Sequence, residues 1–356
     1  MKKLKIIIPI LIILIMGALV GLCFYQVSPM SKSDKKIVFE VKKFDEKYGM
    51  KTLISDLKKE NLIKNESFTY YYVRINKFDV KAGKYILHPN MSLREIFEKI
   101  SNSSNAKEDT VTITFNEGKN MKGVISTITK NTSITEEDIL NKLKDQEYLK
   151  KLIDKYWFLT DDILNPEIYY SLEGYLAPDT YEFKKEATIE DIFETMLDQE
   201  KLILDKYKDK IGKDGLTLHQ MMTLASIVEL EGNNLENRKH IMGVFMNRYK
   251  NGMSLGSDVT TYYAIGVDMS ERDLYQAEID DFNSYNTRSA QSAGHLPVGP
   301  ICNPGEESID AAVNYLPNDY FYFVADKRNN IYFSKTFEEH QQLINKLIDE
   351  GLWYTY

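Results

Sequence analysis

TLHQMMTLASIVELEG, residues 217–232, decides how the rest of the chain is read. Thr217 followed three positions on by Gln220 is a capping-box pattern, which satisfies free amides at a helix start. From Leu218, the residues Met221, Met222, Leu224, Ala225, Ile227, Val228 and Leu230 leave no broad polar face. That pattern belongs to a buried helix rather than a surface one. Gly232 stands where a left-handed cap would close it. Two carboxylates, Glu229 and Glu231, fall in the last turn. Two positions apart on a helix, they project about 200° from one another, so at most one is expected to face a cleft. The pattern leaves both open.

A carboxyl at the end of an apolar helix has two reasons to keep its proton. Burial disfavours its charged form, and the negative end of the helix dipole opposes a further negative charge. Glycoside cleavage needs such a protonated acid for the leaving oxygen. The plainer alternative is that Glu229 and Glu231 bond loop amides or pair with Arg238 or Arg248, since structural ion pairs also perturb carboxyls.

Downstream, residues 235–250 read as a helix with Ile241, Val244, Phe245 and Tyr249 on one stripe, stopped by Asn251-Gly252. Residues 255–317 are rich in Gly, Pro, Ser and Asn, and a long irregular stretch inside a domain is usually functional. It offers Ser257, Asp258, Thr260 and Thr261 as hydroxyl-binding groups. Gly252-Met253-Ser254-Leu255-Gly256 fits G-x-S-x-G, but the nucleophile elbow needs a strand before its Ser and a helix after it; here a helix precedes, so Ser254 is a turn residue. His295, among glycines and prolines, is a loop residue rather than a base. A hairpin (320–325 with 331–333) and a last helix (337–350) follow.

Upstream, a long amphipathic helix covers 188–207. Before it, SLEGYLAPDTYEF (171–183) sets Glu173 and Asp179 beside Tyr175 and Tyr181. Rings next to carboxylates suit sugars, because a ring face covers the apolar face of a pyranose; equally, an Asp after Pro178 is an ordinary turn residue. Helical patterns at 121–129 and 136–152 follow a strand at 111–115. Residues 37–101 form a small α+β module: a strand at 37–41, a helix at 52–60, a Tyr-rich stretch at 67–76 open to helix or strand, a strand at 82–87, and a helix capped by Ser92 with Glu95. The polar run 101–109 separates the two parts.

The chain has 356 residues and a net charge of -8, which argues against nucleic acid as a partner. Lys2, Lys3 and Lys5 precede an uncharged run over 6–25, long enough for the roughly 30 Å bilayer core. Charge placement then predicts residues 1–5 as a cytoplasmic tail, a single-pass helix over 6–25, a linker over 26–36 and the remainder outside the cell membrane. A cleaved signal peptide is the rival reading, without a clean A-x-A site; Leu22 before Cys23 disfavours a lipoprotein. Two distant cysteines predict no disulfide, and five histidines without short-range pairing predict no metal site. No cofactor is expected.

ASIVELEG, LEGYLAPDTYEF, FMNRYKNGMSLGSDVTTYYAIG, YNTR, LPVGPICNPG and YFYFVADKRNNIYFS together resemble blocks of the YceG-like endolytic murein transglycosylase family, over about residues 37–345. The resemblance implies an α+β chain with a transmembrane helix, a LysM-like module at 37–101, and a mixed α/β catalytic domain at 108–356 built on a buried helix. It implies a membrane-anchored lytic transglycosylase that cuts the MurNAc–GlcNAc β-1,4 bond within nascent strands, leaving 1,6-anhydro ends and terminating strand growth. Its expected partners are glycan strands, the cytoplasmic membrane and cell-wall synthases. By position in the block, Glu231 would be the catalytic acid and Glu229 a supporting residue. Glu173, Tyr175, Asp179, Ser257, Asp258, Asn286 and Thr287 are the candidate cleft residues. The alternatives are a non-catalytic wall-binding scaffold and a hydrolytic muramidase. Gly256 and Val259 depart from the Gln and Pro of other members.

Overall fold

The structure, a computed structural model, describes the backbone of residues 2–45, 47–102, 106–107 and 110–353, with side chains from residue 14 onward except at 106–107. Helix α1 (Lys2–Val27) contains the apolar run. Among the described residues no helix is long and apolar enough to cross a membrane. This overturns the expected transmembrane helix at 6–25, and with it the single-pass placement in the cell membrane with a cytoplasmic N-terminus.

The chain divides into two compact units, Met1–Thr110 and Val111–Tyr356. In the first, β1 (Ile37–Val41), α2 (Met50–Lys59), α3 (Glu66–Asn76), β2 (Gly83–Leu87), α4 (Leu93–Ile100) and β3 (Ala106–Lys107) follow α1. The strands form one antiparallel sheet in the order β1-β2-β3, in register from Ile37↔Leu87 to Val41↔Gly83. Alternation along β1 and β2 turns Phe39, Val41, Tyr85 and Leu87 inward, onto Leu53, Leu57, Ile96 and Phe97. The Tyr-rich stretch is helical because Asn65 caps it, accepting from the Phe68 amide, and Lys77 closes it in a left-handed conformation. Ser92 and Glu95 form the expected capping box on α4.

The second unit runs β4 (Thr110–Thr114), α5 (Met121–Asn131), α6 (Glu136–Lys144), α7 (Gln146–Lys155), β5 (Thr180–Lys184), α8 (Ile189–Asp205), α9 (Leu218–Glu231), α10 (Leu235–Lys250), α11 (Asp258–Ile265), α12 (Gln276–Asp280), α13 (Glu306–Val313), β6 (Tyr322–Ala325), β7 (Ile331–Ser334) and α14 (Phe337–Asp349). Strand β4 pairs with β5, and β6 with β7. The architecture is mixed α+β, with helices dominating and the sheets small. The single helix expected over 136–152 is two, because Asp145 leaves the helical conformation and caps α7 through the Glu147 and Tyr148 amides. Three helices, α11, α12 and α13, lie within the stretch expected to be irregular. Their eight or fewer residues carry too little periodicity to stand out.

Helix α9 is the centre of this unit. The Thr217–Gln220 capping box starts it, and every residue from Met221 to Val228 is buried. Helices α10, α11 and α13 pack on it. Each fully buried Leu, Ile or Met here is worth about 1.5–3 kcal/mol over exposure.

Helix α8 buries Glu200 in the same unit, with Oε1 lacking any hydrogen-bond partner. Burial pushes this carboxyl well above its ordinary value, with the Glu306 charge adding to the shift. A carboxyl raised on folding stabilises the fold while protonated, and that contribution is lost as pH rises from about 4.5 through the folded value. Glu200→Met is therefore expected to raise stability at pH 8 by about 1–3 kcal/mol, several degrees in Tm. The gain should shrink at pH 5. A variant less stable than wild type at pH 8 would contradict this account of Glu200.

Candidate active site

The two carboxylates of α9 part company at its last turn. Glu229 turns toward α10 and α13: Oε1 accepts from Arg238 Nη2 at 2.9 Å, and Oε2 from the Gly305 amide at 3.0 Å and Ser308 Oγ at 2.6 Å. Its side chain is 6% exposed and that of Arg238 11%, so this is a buried, fully bonded ion pair. Arg238 also donates to the Gly232 carbonyl and to Glu307. Gly232 is extended (φ -102°, ψ 135°) rather than left-handed as expected. What requires glycine there is proximity, since a Cβ would meet Arg238 Cγ at 2.4 Å.

Glu231 turns the other way, toward the start of α11. It is half-buried, and Ser257 Oγ donates to its Oε1 at 2.5 Å. Desolvation pushes its carboxyl up to about 7; the Ser257 hydrogen bond opposes that, Asp258 adds to it, and Arg248 and Arg288 pull it down. Among the described residues Oε2 makes no hydrogen bond, which leaves one oxygen able to hold a proton toward solvent.

Ser257 is buried and fixed by the chain around it. Its amide donates to Thr287 Oγ1 at 3.0 Å and its carbonyl accepts from Thr260 Oγ1 at 2.7 Å. Thr287 pairs its amide with Thr260 Oγ1 and its carbonyl with the Gly256 amide. Asn286 accepts from Thr261 Oγ1 and donates to the carbonyls of Glu278, Ile279 and Asp281. Both are buried; Thr287 holds Ser257 against Glu231, and both residues also belong to the lining of a second pocket with Tyr285 and His295. Asp258 is exposed and ion-paired with Arg288 at 3.1 Å. Gly256 has φ +67°, and a Cβ there would meet Arg248 Nη1 at 2.7 Å. Arg248 is itself held by the Phe321 and Leu255 carbonyls.

The other expected cleft residues are dispersed. Glu173 is buried, accepting from the Met121 amide at 2.8 Å and Tyr263 hydroxyl at 3.1 Å. Burial pushes its carboxyl up to about 8, against those two bonds. Tyr175 is 1% exposed, its ring packed in the core and its hydroxyl hydrogen-bonded to His219 Nδ1. Asp179 is an exposed turn residue bonded to the Thr180 amide at 2.6 Å, and no contact joins it to Glu231 among the described residues.

Beside the Glu231 cluster lies a groove with a volume of 1160 Å³. Leu230 and Val259, the sequence neighbours of Glu231 and Asp258, belong to its lining, as do Tyr169, Tyr262 and Tyr263. Glu231 itself is not in that lining. Tyr169, Tyr263 and Arg288 were not singled out as site residues in the sequence. Tyr263 could have been, since it follows Val259 by one helical turn.

A family model described as the YceG-like family matches residues 43–346. The chain is 33% identical over 304 residues to a Bacillus subtilis (strain 168) protein named endolytic murein transglycosylase, covering 84% of this chain and 82% of that protein. It is 29% identical over 314 residues to a Streptococcus pneumoniae (strain D39) protein of the same name, covering 83% of this chain and 56% of that one. A crystal structure of a yceG-like protein from Listeria monocytogenes matches with a TM-score of 0.59 and 31% identity, over 87% of this chain and all of that one.

Proposed function

The chain belongs to the YceG-like family, and on that premise we propose that it is a lytic transglycosylase of peptidoglycan in which Glu231 is the acid. The carrying observation is one raised carboxyl at the end of a buried helix, with one oxygen held by Ser257 and the other unbonded. Protonated, Glu231 gives its proton to the GlcNAc oxygen leaving the MurNAc C1. As carboxylate it then takes the proton of the muramyl C6 hydroxyl, which closes on C1. The nucleophile belongs to the substrate, so one protein carboxyl suffices, and the product is a 1,6-anhydro end. Cleavage inside strands would terminate their growth. Residues 108–356 carry the reaction in this reading, and 37–101 act as a LysM-like glycan-binding module, a reading supported by two antiparallel strands flanking two helices.

Glu229 has another task. Its three partners tie α9 to α10 and α13 and so fix the backbone that presents Glu231. A hydrolytic reading draws on Asp258, a second carboxylate near Glu231 that could activate water; its ion pair with Arg288 disfavours it.

The acid reading predicts a pH profile. Glu231 must be protonated, so kcat/KM should hold at low pH and fall as pH rises through about 7. Ser257 donates to the carboxylate and favours its charged form, so Ser257→Ala should move the falling limb to higher pH. A limb that stays put or moves down would count against Glu231 as the acid.

A further inference from the structure

The groove beside Glu231 has features that bond cleavage does not use. Its 1160 Å³ exceeds the roughly 300–1,000 Å³ of most small-molecule sites, and it carries an aromatic face together with a group of cations. Tyr169 is 44% exposed. Its ring stacks on Tyr263, with centroids 5.7 Å apart and planes at 19°, and meets Tyr285 at 4.7 Å. Its hydroxyl donates to the Ala264 carbonyl and accepts from Asn283 Nδ2, while its amide donates to the Tyr285 hydroxyl. A ring held at so many points is a preformed flat surface that loses little entropy on binding.

The loop before α5, α5 itself and the end of α6 bring Lys119, Lys122 and Lys144 to the same groove, all exposed. None makes an ion pair among the described residues; Lys122 only approaches the Gly266 carbonyl at 3.4 Å. The lining also holds two exposed acids, Glu271 and Asp268; Asp268 feels the Lys119 charge and is engaged by the Ser270 amide and hydroxyl. In a chain of net charge -8, three lysines against these two acids leave the groove a local excess of positive charge that favours carboxylate ligands. Lysines on an open surface would be solvated and uninformative; here they share a concave site with an immobilised ring.

We propose that this groove seats a sugar bearing an anionic peptide, with the pyranose against Tyr169 and the peptide carboxylates toward Lys119, Lys122 and Lys144. The enzyme then selects strands that still carry their peptide stems. This inference rests on the function proposed above and adds the substrate form.

The test uses the full chain on uncross-linked glycan strands with intact stems and on the same strands after an amidase has removed them. Wild type should show a KM at least about tenfold lower for stem-bearing strands, a preference that weakens with added salt. The triple variant K119Q/K122Q/K144Q should raise KM for stem-bearing strands and close that gap. Tyr169→Ala should raise KM for both substrates. Thermal melts check folding, and Lys144→Gln alone, exposed at the end of α6, gives a partial effect should the triple variant be unstable. Equal wild-type KM values, or a preference surviving in the lysine variants, would overturn the peptide seat; unchanged KM in Tyr169→Ala would overturn the sugar platform. Anhydro ends would still form in each of those cases, so failure here is distinct from failure of the transglycosylase reading.

Discussion

Glu231→Gln is expected to lower kcat on glycan strands by about 10²- to 10⁴-fold, the usual contribution of a positioned acid, while leaving the fold intact. Gln keeps the length of the side chain and an oxygen that accepts from Ser257 Oγ, so Ser257, Thr287 and Thr260 need not move. Stability supplies an internal check. The wild-type carboxyl is raised to about 7 by desolvation, so its contribution is fully present below the ordinary carboxyl value and is lost as pH rises from about 4.5 to 7. The variant has no such loss and should be at least as stable as wild type at pH 8. Measured turnover with a parallel thermal melt decides the matter. Activity retained in Glu231→Gln would remove Glu231 from the role of the acid.

Glu229→Ala should fail in the opposite manner. Removing this carboxylate leaves Arg238, 11% exposed, with only the Gly232 carbonyl and the exposed Glu307, and takes the acceptor from the Gly305 amide and Ser308 Oγ. Breaking one partner out of a buried pair costs about 3–5 kcal/mol because the remaining charge stays desolvated. For a chain of this size the loss is on the order of 10 °C in Tm. Glu229→Gln keeps an acceptor and should cost less. Fluorescence or calorimetric melts of the two variants test the brace. A Glu229→Ala protein that melts like wild type but has lost its turnover would move Glu229 into the chemistry and break the division of labour between the two acids.

That division was half visible in the sequence. The spacing of Glu229 and Glu231 required them to face apart, and the apolar positions from Met221 to Leu230 required a buried helix, because both follow from the 3.6-residue turn. Which acid met which partner was not visible, because Ser257, Gly305 and Ser308 reach α9 from elements distant in the chain. Gly232 and Gly256 repeat the lesson. Gly256 is glycine because its backbone is left-handed, whereas Gly232 is glycine because the Arg238 side chain comes close, in an extended backbone that a reading of local cap chemistry mistakes for a left-handed one. Tyr175 and Tyr169 stand six residues apart, yet one fills the core and the other lines the groove; composition around them does not separate the two. Capping boxes at Ser92 and Thr217 were legible, since both partners lie within one turn. The apolar run at 6–25 had the length of a membrane span by count alone, yet among the described residues no helix is long and apolar enough to cross a membrane.

The most direct test of the central claim is the mass of the ends the enzyme leaves. Full-length protein incubated with uncross-linked glycan strands should yield muramyl termini one water lighter than reducing ends, the mark of a 1,6-anhydro ring, and Glu231→Gln should yield none. Reducing muramyl ends from the wild-type protein would mean that water, not the C6 hydroxyl, attacks C1, and would contradict the account.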